Sequence, residues 1–183
     1  IHSLAFNLLG DQYVSKGADT IIWNAEYGKT MASWETYWFN STAFGNTQLA
    51  WSPDGEYIAV GRDSHFITLY SLSNQELERL EIPELPPTPD PKSKTFTLYG
   101  SGYYIPPPPW DVVWSNDGNW LAFGIAPYAT GPTVVIWDMF NNAPKAQFVL
   151  GDEERPMTGL TFSPNGQYVV GSTNHDIFVW SME

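Results

Sequence analysis

The side chains that could do chemistry in this chain are few and scattered. Its three histidines, His2, His65 and His175, lie far apart in sequence, whereas metal–nitrogen bonds of ~2 Å require ligands to converge on one point. Paired carboxylates can act as general acid and base, but the one dense acidic run is Asp152-Glu153-Glu154, and adjacent carboxylates in a loop form a solvated surface. Asn116-Asp117-Gly118-Asn119 echoes the start of a calcium loop without its spaced carboxylates or terminal bidentate Glu, so it reads as a turn. No Gly-x-Ser-x-Gly elbow or phosphate-cradling loop occurs. The absence of cysteine excludes disulfides, thiolate catalysis, zinc ribbons and iron–sulfur ligation. These residues assign no catalytic group, no metal ligand and no cofactor.

The elements that would position any site form an internal repeat. Its clearest copy is Leu49-Ala50-Trp51-Ser52-Pro53-Asp54-Gly55, then Tyr57-Ile58-Ala59-Val60-Gly61, then Phe66-Ile67-Thr68-Leu69-Tyr70. A third copy runs from Val112 through Trp114-Ser115-Asn116-Asp117-Gly118 and Trp120 to Trp137-Asp138. A fourth runs from Leu160 through Phe162-Ser163-Pro164-Asn165-Gly166 and Tyr168 to Trp180-Ser181. The first is the most degraded, with Leu4-Ala5-Phe6, Gly10, Tyr13-Val14 and Ile21-Ile22-Trp23-Asn24. Clusters of β-branched and aromatic residues between Gly, Asn, Asp and Pro predict short antiparallel strands. In Ser-Pro-Asp-Gly, Pro presets φ at the first corner and Gly supplies the positive φ near the turn's end. No helical period extends beyond about a turn, Asn74 to Leu80 being the nearest candidate. The fold class is therefore all-β. Three or four strands repeating every ~40–45 residues is the pattern of propeller blades, with Trp51, Trp114, Trp137 and Trp180 expected to pack the sheets.

Composition narrows the partners. With 20 acidic against 8 basic residues, the formal charge is −12, and there is no basic stripe to release counterions from nucleic acid or to dock on anionic lipid. No stretch approaches the ~18 apolar residues of a membrane span. We therefore expect a protein partner, no nucleic acid and no membrane insertion. A cysteine-free chain leaves the compartment open, the cytoplasm being slightly favoured.

Two insertions break the period. The larger, from about Ser73 to Trp110, holds nine of the fifteen prolines, including Pro106-Pro107-Pro108-Pro109. Its Pro-rich part, 83–110, should be extended polyproline II or a stiff spacer. Thr95 to Tyr99 within it reads as the outer strand of its repeat. The smaller insertion spans Ile125 to Pro132. Long loops are where binding surfaces commonly sit, so Tyr103, Tyr104, Trp110 and Tyr128 are candidate protein-binding anchors. His65 and His175 both precede a third strand, on one end of the molecule and about two repeats apart, too far for joint ligation.

At Trp137-Asp138, Trp23-Asn24 and Trp180-Ser181, each closing a third strand, and at the turn-and-strand pattern upstream of them, the chain resembles the WD40-repeat family. The turns at Trp51 and Trp114 are also similar to those of TolB-like propellers and of some serine-peptidase propeller domains. The WD40 resemblance implies four-stranded antiparallel blades around an axis and a non-catalytic platform for protein interaction. The family's Gly-His pair is absent, and Ser64, Gly131 and Asn174 stand where its structural Asp is expected. One domain of about four blades is anticipated, with repeats at about 1–45, 46–100, 101–150 and 151–183. Thr36 to Phe39, Thr95 to Tyr99 and Ala146 to Leu150 would be outer strands, and the fourth repeat would have none. Three complete blades and one three-stranded blade suggest part of a larger propeller, or a half-ring completed by another chain, ahead of a closed four-blade ring. The leading functional expectation is a non-catalytic protein-interaction scaffold. The alternative is the propeller portion of a hydrolase or a TolB-like periplasmic protein, gating or orienting substrate.

Overall fold

The computed structural model describes residues 3–17, 19–35, 49–61, 66–72, 77–81, 111–125, 133–150 and 157–183. Tyr103, Tyr104, Trp110, Tyr128, His2, His65, the Pro-rich segment 83–110 and Asp152-Glu153-Glu154 lie outside them. Among the described residues there is no helix, and every element is a strand of an antiparallel meander.

Blade 1 comprises β1 (Ser3–Phe6), β2 (Gln12–Lys16), β3 (Asp19–Asn24) and β4 (Thr30–Glu35). Blade 2 comprises β5 (Leu49–Trp51), β6 (Tyr57–Gly61), β7 (Phe66–Ser71) and β8 (Leu77–Glu81). Blade 3 comprises β9 (Asp111–Trp114), β10 (Trp120–Ile125), β11 (Thr133–Asp138) and β12 (Ala143–Val149). Blade 4 has three strands, β13 (Met157–Phe162), β14 (Tyr168–Thr173) and β15 (Ile177–Ser181). Neighbouring blades meet through their first strands, β1 on β5, β5 on β9 and β9 on β13, and no comparable packing joins β13 to β1 among the described residues. The four sheets thus form an open row, as the strand count anticipates.

Two outer strands differ from expectation. Blade 1 has Thr30–Glu35 as its outer strand, because the chain reverses tightly at 25–29 with Gly28 at φ 62° and its N–H donating to the Asn24 carbonyl at 3.0 Å; the expected Thr36 to Phe39 lies outside the described residues. In blade 2 the outer place is held by Leu77–Glu81, so residues 77–80 of the nearest helical candidate are strand, while Thr95 to Tyr99, the expected outer strand, lies outside the described residues. Leu-Glu-Arg-Leu-Glu satisfies a helical spacing of its leucines as well as an edge strand, and only pairing with β7 decides. In blade 3 the expected Ala146 to Leu150 overlaps β12.

Three apolar layers between the blades make up the core. Val14, Ile22, Trp51, Ile58, Val60 and Tyr70 fill the layer between blades 1 and 2. Ala59, Ile67, Leu69, Leu121, Phe123 and Trp137 fill the next, and Ala122, Ile136, Met157, Leu160, Phe162 and Val169 the last. The predicted packing role of the strand tryptophans holds: Trp51 and Trp137 are buried, and Trp114 and Trp180 pack against the clusters.

Candidate interaction surface

Each blade makes its first reversal with one device. Ser52 Oγ donates to Asp54 Oδ1 and accepts the Tyr57 N–H at 2.9 Å, while the Gly55 N–H reaches the Ser52 carbonyl at 2.9 Å. Ser115 repeats this with Asp117 (2.6 Å), the Trp120 N–H (2.9 Å) and Gly118 (3.0 Å). Ser163 repeats it with Asn165 (2.7 Å), the Tyr168 N–H (2.9 Å) and Gly166 (2.8 Å). Gly55, Gly118 and Gly166 all have φ between 70° and 77°, a region where a Cβ costs energy. The short polar side chains thereby take up turn amides that would otherwise be bare.

The residue after the third-strand aromatic performs the matching task at the second reversal. Asp138 Oδ1 accepts the amides of Phe140 and Asn141, both at 3.0 Å, and Asn24 Oδ1 accepts the Tyr27 amide at 2.9 Å. In every blade the segment just past the third strand is then tied to the first reversal, by the amides of Ala25, Leu72, Met139 and Met182 donating to the carbonyls of Asp11, Glu56, Asn119 and Gln167 at 2.8–3.1 Å. All of these turns therefore share one end of the molecule.

Blade 1 departs from the polar pattern on this end. Its turn is Asn7-Leu8-Leu9-Gly10, in which Asn7 replaces the serine: its Oδ1 accepts the Gln12 N–H at 3.2 Å and its Nδ2 donates to Asp11 at 2.7 Å. Leu8 and Leu9 occupy the positions of Pro53-Asp54, Asn116-Asp117 and Pro164-Asn165, and they are 80% and 84% exposed. Tyr27, in the adjoining reversal of the same blade, and Phe140, in that of blade 3, are exposed as well. The reversals at this end also carry the carboxylates Asp11, Glu26, Asp54, Glu56, Asp117 and Asp138. The Ser115 hydroxyl holds Asp117 below its ordinary value, and the Asn141 amides do the same for Asp138. Both are charged at neutral pH. A hydrogen bond from Tyr27 to Glu26 pushes the phenol up, keeping it neutral.

Polar links join the blades at both ends: on the turn side Asn116 Nδ2 donates to the Pro164 carbonyl at 3.0 Å, and two further links lie toward the opposite end. Lys16, buried, donates through Nζ to the Gly61 carbonyl of blade 2 at 2.8 Å. Asp111, at the start of β9, accepts the Leu160 N–H of blade 4 on Oδ2 at 2.6 Å and the Val112 N–H on Oδ1 at 2.9 Å. Burial raises its pKa, against the lowering effect of the two amides. The residues flanking the two insertions, Glu81, Asp111, Ile125 and Thr133, lie at this end, as the strand registers require.

Among the sequence-derived candidates, His175 sits exposed in the turn before β15, and Asn116–Asn119 is the turn expected of it. No group of three His, Cys, Asp or Glu among the described residues could hold a metal ion. Leu8 and Leu9 are the residues that reading each repeat alone misses. Aligning the four turns exposes them, as the one copy whose two central positions are apolar. Asp111 has no sequence signal, since it lies one residue before the repeated pattern begins.

Meandering sheets of this kind, stacked through their first strands and repeating one turn device, define a β-propeller-type repeat protein. Residues 45–71 and 145–181 match the WD40 family, described as WD domain, G-beta repeat, and these two matches support membership of the WD40-repeat family. The second match begins in β12 and ends in β15, so the family's unit straddles two blades, an outer strand followed by three strands of the next. No curated protein matches the chain. WD40 repeats make a generic protein-interaction kind of domain, generally without catalysis.

Proposed function

We propose that this chain is a non-catalytic propeller module that binds another protein. The observation that carries the reading is the Leu8-Leu9 tip, two apolar side chains held in water by a tight turn where three sister turns are polar. Apolar residues clustered on an otherwise polar surface mark interaction sites. The carboxylates on the same end favour a partner segment that flanks its apolar anchor with basic residues. The insertions 83–110 and 125–132 are proposed to add Tyr103, Tyr104, Trp110 and Tyr128 as a second set of anchors.

The test is to cross-link the protein to its partner in its own cells and then measure affinity with both purified. Replacing Leu8 and Leu9 together by Ser should weaken binding at least about tenfold, the behaviour of a hot spot, with an unchanged melting temperature. Alanine at the four aromatic positions tests the second set separately. If no stoichiometric partner is found, or both sets leave affinity unchanged, the proposal fails.

A further inference from the structure

Just before the turn glycine, blades 2 and 3 have Asp54 and Asp117, whereas blade 4 has Asn165. The three side chains bond alike. Asp54 Oδ1 accepts the Ser52 hydroxyl and the Glu56 N–H at 2.9 Å. Asp117 Oδ1 accepts the Ser115 hydroxyl at 2.6 Å and the Asn119 N–H at 3.1 Å. Asn165 Oδ1 accepts the Ser163 hydroxyl at 2.7 Å and the Gln167 N–H at 3.2 Å. The second polar atom differs only in the direction of its bond. Asn119 Nδ2 donates to Asp117 Oδ2 at 2.7 Å, whereas Asn165 Nδ2 donates to Gln167 Oε1 at 2.7 Å. Turning the Gln167 amide over reverses that bond, and the turn then holds an aspartate at 165 as blade 3 holds Asp117.

Asn165 is also the only asparagine of the chain that is followed by glycine. A glycine has no Cβ to keep its nitrogen from approaching the side-chain amide carbon. The space around Gly166 is open, with nothing within 4 Å of where a Cβ would lie. Asn165 is exposed, as are Asp54 and Asp117 in blades flanked on both sides, so this position meets water in all three blades. The closed turn withholds the nucleophile all the same. The Gly166 N–H donates to the Ser163 carbonyl at 2.8 Å, and three bonds fix the Asn165 amide. Attack therefore needs the turn to open locally.

We propose that Asn165 is a site of self-conversion to aspartate, gated by the opening of this turn and trapped when the turn recloses. In the open turn the Gly166 nitrogen attacks Asn165 Cγ. A nitrogen–carbon bond forms, the Cγ–Nδ2 bond breaks, and ammonia leaves with the Gly166 proton, giving a succinimide. Water then opens the ring. Hydrolysis at Cγ gives aspartate on an ordinary main chain, whereas hydrolysis at the main-chain carbonyl gives isoaspartate, whose main chain is one atom longer. The aspartate recloses on Ser163 and Gln167. The longer chain of the isoaspartate displaces the Gly166 N–H from the Ser163 carbonyl, so its turn stays open and can lose water to return to the succinimide. Folding thereby sorts the products toward aspartate, which adds one negative charge to the −12 of the chain.

Peptide mapping by mass spectrometry, with aspartate and isoaspartate separated by chromatography, follows the purified chain in mildly alkaline buffer, folded and in urea. Position 165 should convert in both states and ahead of every other asparagine. The folded chain should be slower by at least about tenfold, a factor that an opening cost of about 1.4 kcal/mol supplies. The aspartate share should be higher from the folded chain than from urea. Ser163→Ala removes the hydroxyl that bonds Asn165 and the Tyr168 N–H. It should speed folded conversion about two- to tenfold, the size of a typical net hydrogen bond. Asn116→Ala, which frees the Pro164 carbonyl, serves as a second variant. Asn165→Asp should melt at or above the wild-type temperature. Equal rates in the two states, no conversion at 165 in either, or an isoaspartate share that folding leaves unchanged would overturn the proposal. So would a folded rate that neither variant raises, or a lower melting temperature for Asn165→Asp.

Discussion

Asp111 gives the sharpest test of how the blades are held in register. Its carboxylate joins β9 to β13 by accepting the Leu160 N–H at 2.6 Å. In Asp111→Ala that amide and the Val112 amide lose their acceptor, at a cost of about 1–3 kcal/mol for a part-buried donor. For a chain of this size each 1 kcal/mol moves Tm by about 2–4 °C, so a loss of about 2–12 °C is expected. Asp111→Asn behaves differently. It keeps a carbonyl acceptor, with roughly half the strength of the charge-assisted bond, and removes the penalty of burying a charge, so at neutral pH it should lie within about 1 kcal/mol of wild type. Because burial raises the pKa of Asp111 above its ordinary 3.8, the folded state holds the proton more tightly than the unfolded state. The stabilisation from that proton is fully present below 3.8, is lost as pH rises through the folded pKa, and is absent at neutral pH. Wild-type stability minus Asp111→Asn stability should therefore fall with rising pH above about 4 and then level off. Urea unfolding followed by tryptophan fluorescence between acid and neutral pH measures it. A difference that grows with pH, or an alanine variant as stable as wild type, would refute the reasoning.

Two further substitutions test the packing between blades. A Cβ on Gly171 would lie 2.7 Å from Met157 Cε and 2.9 Å from Trp180 Cη2 and Cζ3. The methionine tip can swing aside, but the Trp180 ring is stacked against Phe148 and Phe178, so Gly171→Ala should cost about 1–3 kcal/mol of overpacking, read as a lower Tm. Thr68 is fully buried with Oγ1 lacking a hydrogen-bond partner among the described residues; Thr68→Val keeps the shape and drops the orphaned hydroxyl, and should raise stability by about 1 kcal/mol in the same urea assay.

The repeat by itself determined the all-β class, the inner strands, the reversals and the three-stranded fourth blade. Those features are local: Ser52, Ser115 and Ser163 close their turns with atoms two to five residues away, and a turn glycine needs positive φ whatever surrounds it. The outer strands were less legible. They pair on one side only and need little apolar patterning, so Leu77–Glu81 could be read as a helix start and Thr30–Glu35 was displaced to Thr36. Tertiary structure alone decided which faces are covered. Phe6 and Trp51 hold the same place in their repeats, yet one is exposed and the other buried, because burial belongs to the pair of sheets and not to the strand. The same reason hid the links of Lys16 and Asp111, whose partners lie 45 and 49 residues away.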